Sequence, residues 1–264
     1  MHRDNPWRAG TGTPAPARPG ERRYDDGLKP LVLLPGNMCD ERLWSGVAPA
    51  LRDSGRAIGF ADLAHQSSIR QMAEAALSAV QEGPFVAIGF SMGAIVALEL
   101  ARGAPERLAG IVLIALNASA DLPERSAVRP GQQRRVAGGQ LASVVADELK
   151  PNYLAAANRQ DPALLSLTMQ MALDLGPDVF VRQSEALRTR ADLRPVLGGL
   201  AIPTLLLCGA EDALCPPKWH KNWAEQIGAS ASLRVIEGAG HLLPLERPVE
   251  TREALLGWLS ETGI

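Results

Sequence analysis

Residues 85–100 of this chain read Phe-Val-Ala-Ile-Gly-Phe-Ser-Met-Gly-Ala-Ile-Val-Ala-Leu-Glu-Leu. Phe85 to Ile88 is an apolar run of strand length, and Met92 to Arg102 is rich in Ala, Leu and Val, as is typical of a buried helix. Between the two lies Gly89-Phe90-Ser91-Met92-Gly93, which matches the pattern G-x-S-x-G. The stretch therefore predicts a strand that turns directly into a helix, with a serine at the turn.

This spacing has a physical reason. A strand that becomes a helix without a loop forces the residue at the turn into a strained backbone conformation, and glycines two positions away remove side chains that would collide. The hydroxyl of Ser91 then projects from the end of the sheet. The backbone N–H of Met92 lies at a helix N-terminus, where the helix dipole and unsatisfied donors favour an oxyanion. A five-residue match also occurs by chance in Gly/Ser turns, so its weight depends on the flanking strand and helix.

With that context, the stretch resembles the nucleophile elbow of the α/β-hydrolase family. The resemblance extends from about residue 30 to residue 262 and is weakest in the middle of the chain. It implies an α/β fold with a mostly parallel, doubly wound sheet and a nucleophilic Ser91. It also implies that an acid, a base and a second oxyanion donor lie elsewhere in the chain.

The loop after the first predicted strand is the candidate for the second oxyanion donor. Leu31–Leu34 is a short apolar run, followed by Pro35, Gly36 and Asn37. The family usually has His-Gly here, so Pro35 is a departure. A backbone donor needs no particular side chain, and the resemblance implies that the N–H of Asn37 faces the Ser91 oxygen. A simple turn, with Asn37 as its turn-forming residue or as a substrate contact, is the alternative.

The candidate acid follows a later strand. Residues 202–208 are apolar and lead into Gly209-Ala210-Glu211-Asp212, with Pro216-Pro217 shortly after. The resemblance implies that Asp212 is the acid of the triad and that its neighbour Glu211 faces solvent. The alternative for Asp212 is a helix N-cap before the two prolines.

The candidate base is His241, which follows a last strand at 233–236 and lies in Gly238-Ala239-Gly240-His241. The loop resembles the terminal histidine loop of the family, and the order Ser, Asp, His is the one expected for this fold. The other histidines, His2, His65 and His220, lack this context. A lone histidine is more often structural than catalytic, so the loop is what selects His241.

Strand and helix patterns alternate along most of the chain, with further strands at 57–61 and 108–116. This alternation predicts a parallel sheet covered by helices on both faces. Residues 29–117 and 200–264 are accordingly assigned to an α/β-hydrolase core.

Residues 118–199 break the alternation, because helical patterns follow one another at 124–136, 140–149, 162–175 and 177–190. The resemblance implies a helical cap over the active site. Its Leu and Met residues, among them Met169 and Met171, predict an apolar pocket that sets substrate choice. Arg125, Arg134, Arg135 and Arg159 are interpreted as part of a solvated face rather than a carboxylate-binding site.

Composition excludes several classes of function. Of the 264 residues 46% are apolar, enough for a large core, and the net charge of −2 with no block of Lys or Arg argues against nucleic acid. No apolar run of about 18 residues predicts a membrane span, and none near Met1 predicts a signal peptide. Three cysteines without metal-like spacing favour a reducing, cytoplasmic location. The Pro-, Gly- and Arg-rich residues 1–28 predict a disordered tail.

The function predicted from these residues is a serine hydrolase that cleaves a small-molecule carboxylic ester and needs no metal or organic cofactor. Its partner is then a small substrate, without nucleic acid or membrane. Hydrolysis of carbon–carbon bonds in diketone-like substrates, perhydrolysis, and acyl transfer use the same residues and stay open. A small-molecule receptor with the same pocket is the alternative from another class.

Overall fold

The structure is a computed structural model that describes residues 27–80, 82–149 and 153–264. The predicted tail at 1–28 lies outside these residues, apart from Gly27 and Leu28.

The described residues form a six-stranded sheet in which every strand pair is parallel. The strands in chain order are β1 (Leu31–Leu34), β2 (Ile58–Phe60), β3 (Phe85–Phe90), β4 (Leu108–Ile114), β5 (Thr204–Gly209) and β6 (Ala231–Ile236). Their order across the sheet is β2-β1-β3-β4-β5-β6. These strands appear in the sequence as continuous apolar runs because the strands of a parallel sheet are covered on both faces. The predicted fold class is confirmed.

Helices cover both faces of the sheet. They are α1 (Ala48–Asp53), α2 (Ile69–Ala76), α3 (Met92–Gly103), α4 (Pro123–Ala137), α5 (Leu141–Ser143), α6 (Pro162–Arg188), α7 (Arg194–Leu197), α8 (Pro217–Ile227), α9 (Leu243–Glu246) and α10 (Pro248–Thr262). Short 3-10 helices lie at Glu41–Trp44, Leu77–Ala79, Pro105–Arg107, Ala156–Asn158 and Gly228–Ser230, and a π-helix lies at Val144–Leu149. Helices α2, α3 and α8 pack on one face, and α1 and α10 pack on the other.

The chain between β1 and β2 forms two helical pieces, Glu41–Trp44 and α1. The first is capped by Asp40, whose carboxylate accepts the N–H of Arg42. Between the pieces, Gly46 lies so close to Pro248 that a Cβ on it would come within 2.6 Å of the Pro248 Cβ. The close approach of α10 leaves no room for a side chain at Gly46.

The elements from α4 to α7 lie between β4 and β5 in the sequence. This insertion, residues 118–199, has an apolar cluster of its own that joins α4, α5, α6 and the π-helix, with Val136, Val144, Ala172 and Phe180 among its buried members. Hydrogen bonds tie it to the core, among them those of Gln183 on α6 and of the backbone of Tyr153.

Helix α6 is the one described helix that is long and apolar enough, by length and composition, to cross a membrane. Gly176 interrupts it with φ 82° and ψ 176°, a conformation that belongs to glycine, and Pro177 follows. Each of the two pieces on either side of Gly176 is shorter than the roughly 17 residues that a span requires. The two helices predicted at 162–175 and 177–190 correspond to these two pieces.

Candidate active site

Ser91 lies at the turn between β3 and α3, with φ 52° and ψ −110°. Its strained backbone depends on the two flanking glycines. A Cβ on Gly89 would come within 2.3 Å of the Gly93 carbonyl oxygen, and one on Gly93 within 2.1 Å of the Leu34 carbonyl oxygen. Only glycine allows the strand end and the helix start to approach this closely. The half-buried Ser91 hydroxyl is consequently held at the carboxyl ends of the central strands.

A continuous hydrogen-bonded chain joins the three residues that the sequence proposes as a triad. The Nε2 of His241 lies 2.9 Å from the Oγ of Ser91, and its Nδ1 lies 2.8 Å from Oδ2 of Asp212. An ionised carboxylate only accepts hydrogen bonds, so Nδ1 carries the proton and Nε2 is left to accept from the serine hydroxyl. This tautomer is the one that a general base needs.

Asp212 is buried, with 3% of its surface exposed, and it stays ionised. Burial alone would raise its pKa, but the neighbouring His241 and the backbone N–H groups of Cys215 and Leu214 outweigh it and lower the pKa below the usual range. Both N–H groups donate to Oδ1 at 2.8 Å. The helix that follows begins at Pro217 with Pro216 as its N-cap, so Asp212 does not have the alternative capping role.

The loop that carries His241 is held from three sides. The N–H of His241 donates to the Tyr153 carbonyl at 2.7 Å, and the His241 ring packs between Phe90 and Tyr153 with centroid distances of 5.2 and 5.5 Å. The buried carboxylate of Glu246 accepts the N–H of Gly240 at 2.9 Å. These contacts fix the imidazole between the acid and the serine.

Glu246 has a role that the sequence analysis does not assign. Besides Gly240, its carboxylate accepts the N–H of Ala155 at 2.7 Å and the Nδ2 of Asn158 at 2.9 Å. It therefore joins the histidine loop to the insertion. Its position five residues after His241 in the motif-bearing loop is the sequence signal that points to it.

The neighbouring carboxylate, Glu211, points away from His241. Its side chain is exposed, and Oε2 accepts the N–H of Ala156 at 2.9 Å.

The two backbone donors proposed for an oxyanion lie beside Ser91. Neither the N–H of Asn37 nor that of Met92 has an acceptor within residues 27–80, 82–149 and 153–264. Gly36 makes the approach possible, because a Cβ on it would come within 2.7 Å of the Phe90 ring and 3.4 Å of the Ser91 Cβ. The departure at Pro35 leaves this backbone geometry intact.

A cavity of about 280 Å³ opens over Ser91 and His241 and is also lined by Asn37, Met92 and Tyr153. The insertion forms much of its wall, to which α4 contributes Arg125, Val128, Arg129 and Gln132, and α6 and the following residues contribute Leu187 and Arg190. The interpretation of Arg125 as part of a solvated face is wrong, since it is half-buried in this wall.

The cavity has apolar lining residues, such as Leu187 and Leu214, but the methionines named in the prediction are not among them. Met171 is fully buried in the core, Met169 packs in the insertion cluster, and neither lines the cavity. Charged side chains line it instead, because Arg125 and Arg129 on α4 face the cavity above the serine. The sequence pattern predicts a solvated face there. Arg134 and Arg135, on the same helix, are exposed.

Two further histidines of the described residues, His65 and His220, have no part in this hydrogen-bonded chain. His65 is exposed and pairs with Asp62 at 3.2 Å. His220 is fully buried, and its Nε2 accepts the N–H of Leu116 at 3.0 Å, at the end of β4. Burial lowers the pKa of His220 to about 4, so it is neutral at pH 7.

Asp212, Cys215 and His241 place ligand atoms within 4.8 Å of one another, a spacing at which three groups can hold a metal ion. The donor set does not suit one. Burial raises the pKa of the Cys215 thiol well above its usual range, and metals bind the thiolate. Both oxygens of Asp212 already accept hydrogen bonds. The cluster is better explained by Cys215 helping to hold the acid.

Comparison with known proteins agrees with this fold. Residues 31–254 match the sequence model of the alpha/beta hydrolase family. A pimeloyl-[acyl-carrier protein] methyl ester esterase of Sodalis glossinidius is 30% identical over 246 residues, which cover 87% of this chain and 93% of the relative. The dihydrolipoyllysine-residue acetyltransferase component of the acetoin cleaving system of Pseudomonas putida is 30% identical over 89% of this chain, which spans only 64% of that relative.

Solved structures give the same result. A thermophilic esterase from Thermogutta terrifontis superimposes with a TM-score of 0.81 at 28% identity, over 89% of this chain and 90% of that one. The enol-lactonase from Burkholderia xenovorans superimposes with a TM-score of 0.75 at 22% identity, over 89% and 92% of the two chains, and shares the fold.

Proposed function

Because the chain belongs to the alpha/beta hydrolase family and is a hydrolase, we propose that it cleaves a small-molecule carboxylic ester with a triad of Ser91, His241 and Asp212. The observation that carries the proposal is the unbroken hydrogen-bonded chain from Asp212 through His241 to Ser91, at 2.8 and 2.9 Å, on the floor of the cavity. Relatives named as esterases support the ester as the bond that is cleaved.

The first half of the reaction acylates the enzyme. Ser91 Oγ attacks the ester carbonyl carbon while Nε2 of His241 takes the hydroxyl proton. The carbonyl oxygen becomes an oxyanion, which the N–H groups of Met92 and Asn37 stabilise. When the intermediate collapses, the carbon–oxygen bond to the alcohol breaks, and His241 returns the proton to the departing alcohol.

The second half releases the acid. A water molecule gives its proton to His241 and attacks the acyl-enzyme carbonyl, and the same two N–H groups hold the second oxyanion. Collapse frees the carboxylic acid and returns the proton to Ser91. Asp212 holds the imidazole tautomer and stabilises the imidazolium in both halves. Serine and histidine supply nucleophile and base, so the proposed reaction needs no metal or organic cofactor.

The test is a panel of p-nitrophenyl and methyl esters of graded acyl length, measured with the wild type and with Ser91→Ala. Methyl esters are included because the Sodalis relative is named a methyl ester esterase. We expect turnover that disappears in Ser91→Ala, and labelling of Ser91 by a fluorophosphonate. Ser78, an exposed serine in the 3-10 helix Leu77–Ala79 that does not line the cavity, provides the matched control as Ser78→Ala.

Three outcomes would contradict the proposal. Turnover that persists in Ser91→Ala, or a label on another serine, would assign the chemistry to other residues. Turnover of a diketone but of no ester would support carbon–carbon bond hydrolysis. Ligand-induced thermal stabilisation without any turnover would support a receptor.

A further inference from the structure

The cavity over Ser91 carries more positive charge than its own carboxylates balance. Arg125, Arg129 and Arg190 line it, together with the carboxylates of Asp121 and Glu148. Asp121 is almost fully buried and is shared by two arginines, with Arg129 Nε at 2.7 Å and Arg190 Nη1 at 2.6 Å. Burial alone would raise the pKa of Asp121, but the two guanidinium groups lower it, so Asp121 is ionised. One carboxylate therefore pairs with two guanidinium groups, which leaves a net positive charge in this group of side chains.

The second carboxylate is also occupied. Glu148 accepts the Nε2 of Gln132 at 3.0 Å and forms an ion pair with Arg135, whose side chain is exposed outside the cavity wall. Neither carboxylate of the cavity is thus available to Arg125. Among the described residues no acidic side chain pairs with Arg125.

Arg125 lies in the cavity that also contains the reaction centre. It is half-buried on α4, in the wall of the same cavity as Ser91 and His241. Burial raises the pKa of the Tyr153 hydroxyl and of the Cys215 thiol, and the Arg125 guanidinium is close enough to both groups to oppose that rise. A guanidinium in a cavity wall, without a carboxylate partner among the described residues, can bind a negatively charged group of a ligand.

An independent donor points into the same space. Asn117 is 6% exposed and lines the cavity, and its Oδ1 accepts the N–H of Ser119 at 3.0 Å. This bond fixes the orientation of the amide, so that its Nδ2 is the polar atom that remains without a hydrogen-bond partner. The Nδ2 is buried and has no acceptor in the described part of the chain. Buried amide donors are nearly always satisfied, so this one is an open position for an acceptor atom of a ligand.

We propose that the substrate carries a carboxylate besides its ester group, and that Arg125 binds this carboxylate with the Asn117 amide as a second donor. The proposal rests on the ester hydrolysis proposed above and adds the substrate class, a half-ester of a dicarboxylic acid or an ester of a hydroxy acid. The aliphatic side chains of Val128 and Leu187 in the same wall contact the carbon chain between the two groups.

The test compares esters that differ only in the terminal group. Monomethyl esters of dicarboxylic acids from succinate to suberate are matched with methyl alkanoates of the same carbon number. A second series matches acetate esters of ω-hydroxy acids with alkyl acetates, so that a carboxylate on the alcohol side is also tested. We expect the carboxylate ester to be preferred in kcat/KM at one chain length in one series.

The variants assign this preference to residues. Arg125→Gln should lower the ratio of kcat/KM for the carboxylate ester to kcat/KM for the neutral ester by about 10- to 100-fold. The effect should be mainly on KM, because a charge-assisted hydrogen bond is lost. Arg125→Lys should restore part of the ratio, since it keeps the charge but not the bidentate geometry. Asn117→Asp keeps an oxygen for Ser119 but replaces the donor by an acceptor, and should also lower the ratio. Arg134→Gln, an exposed arginine on α4, should leave the ratio unchanged.

A binding measurement separates this proposal from the one on which it rests. Monomethyl adipate and methyl hexanoate are titrated calorimetrically into Ser91→Ala and into Ser91→Ala with Arg125→Gln. Tighter binding of monomethyl adipate that needs Arg125 supports the carboxylate site even if no ester is hydrolysed. Equal affinities together with equal kcat/KM for carboxylate and neutral esters at every chain length of both series, or a preference that survives Arg125→Gln, would overturn it.

Discussion

At the scale of single residues, two adjacent carboxylates follow β5, and their surroundings differ completely. Asp212 is buried against His241, whereas Glu211 is exposed and accepts a backbone N–H of the insertion. We expect Asp212→Asn to lower kcat for esters by about 10⁴-fold, because the amide disfavours the required tautomer of the imidazole. Glu211→Gln is the matched control and should lower kcat by less than about tenfold. A larger loss in Glu211→Gln would show that the wrong carboxylate was chosen.

Sequence and structure agree on Ser91, His241 and Asp212 because each lies in a local pattern with a strand before it. The resemblance to the family and the α/β fold are confirmed, while the catalytic roles stay predictions until the variants are measured. Arg125 shows the limit of sequence reasoning. Its neighbours in sequence are charged, as on a solvated face, and only the docking of α4 over the sheet turns it into the cavity.

His220 illustrates a buried residue whose effect depends on pH. In the unfolded chain its pKa is near 6.5, and burial lowers it to about 4 in the folded protein. The folded state binds the proton less readily, so the stabilising contribution is complete above pH 6.5 and is lost as the pH falls toward 4. We expect the wild type to lose about 2 kcal/mol more of its unfolding free energy between pH 7.5 and pH 5 than His220→Gln does.

Urea denaturation at the two pH values measures this difference. Gln at this position can still accept the Leu116 N–H but does not titrate, so the variant isolates the proton. The lowered pKa of Asp212 acts at a more acidic pH than this window and does not interfere. Equal losses in the two proteins would contradict the assignment.

At the scale of elements, the histidine loop depends on one carboxylate. Glu246 accepts N–H groups from Gly240 in the loop and from Ala155 in the insertion. In Glu246→Gln an NH₂ group faces donors, so we expect the free energy of unfolding to fall by about 1–3 kcal/mol. We also expect kcat to fall at least tenfold, because His241 follows Gly240 directly and a small displacement breaks its alignment with Ser91.

The exposed Glu250, on the neighbouring helix α10, provides the control as Glu250→Gln. Thermal denaturation and ester kinetics are measured on both variants. If Glu246→Gln behaves like Glu250→Gln, the carboxylate does not position the loop.

The insertion shows why elements are easier to predict than their arrangement. The helical periods at 124–136 and at 162–190 are local, and α4 and α6 form there. Which side chains of these helices reach Ser91 depends on long-range packing, such as the cluster that joins Val136 to Phe180. Sequence periodicity does not predict this long-range packing. For this reason the cavity is lined by arginines where methionines are predicted.

At the scale of the whole molecule, a buried amide forms one of the contacts between the insertion and the core. Gln183 on α6 is 1% exposed, accepts the N–H of Met38 at 2.8 Å and donates to the Leu63 carbonyl at 3.2 Å. Met38 has φ 53° and directly follows Asn37, the proposed oxyanion donor. The position of α6 and the geometry of the oxyanion loop are consequently coupled through one side chain.

This coupling predicts that Gln183→Leu affects stability and catalysis together. The substitution keeps the volume but leaves two buried backbone groups without partners, so we expect the free energy of unfolding to fall by at least about 2 kcal/mol. The strained Met38 loses the bond that holds it, the Asn37 N–H moves, and kcat for esters should fall about 10- to 100-fold, as for the loss of an oxyanion donor. Gln170→Leu, on the same helix but exposed and bonded only to Asp174, should change neither quantity by much. Urea denaturation and ester kinetics on both variants decide the question, and a Gln183→Leu enzyme with wild-type kcat would show that the oxyanion loop keeps its shape without the insertion.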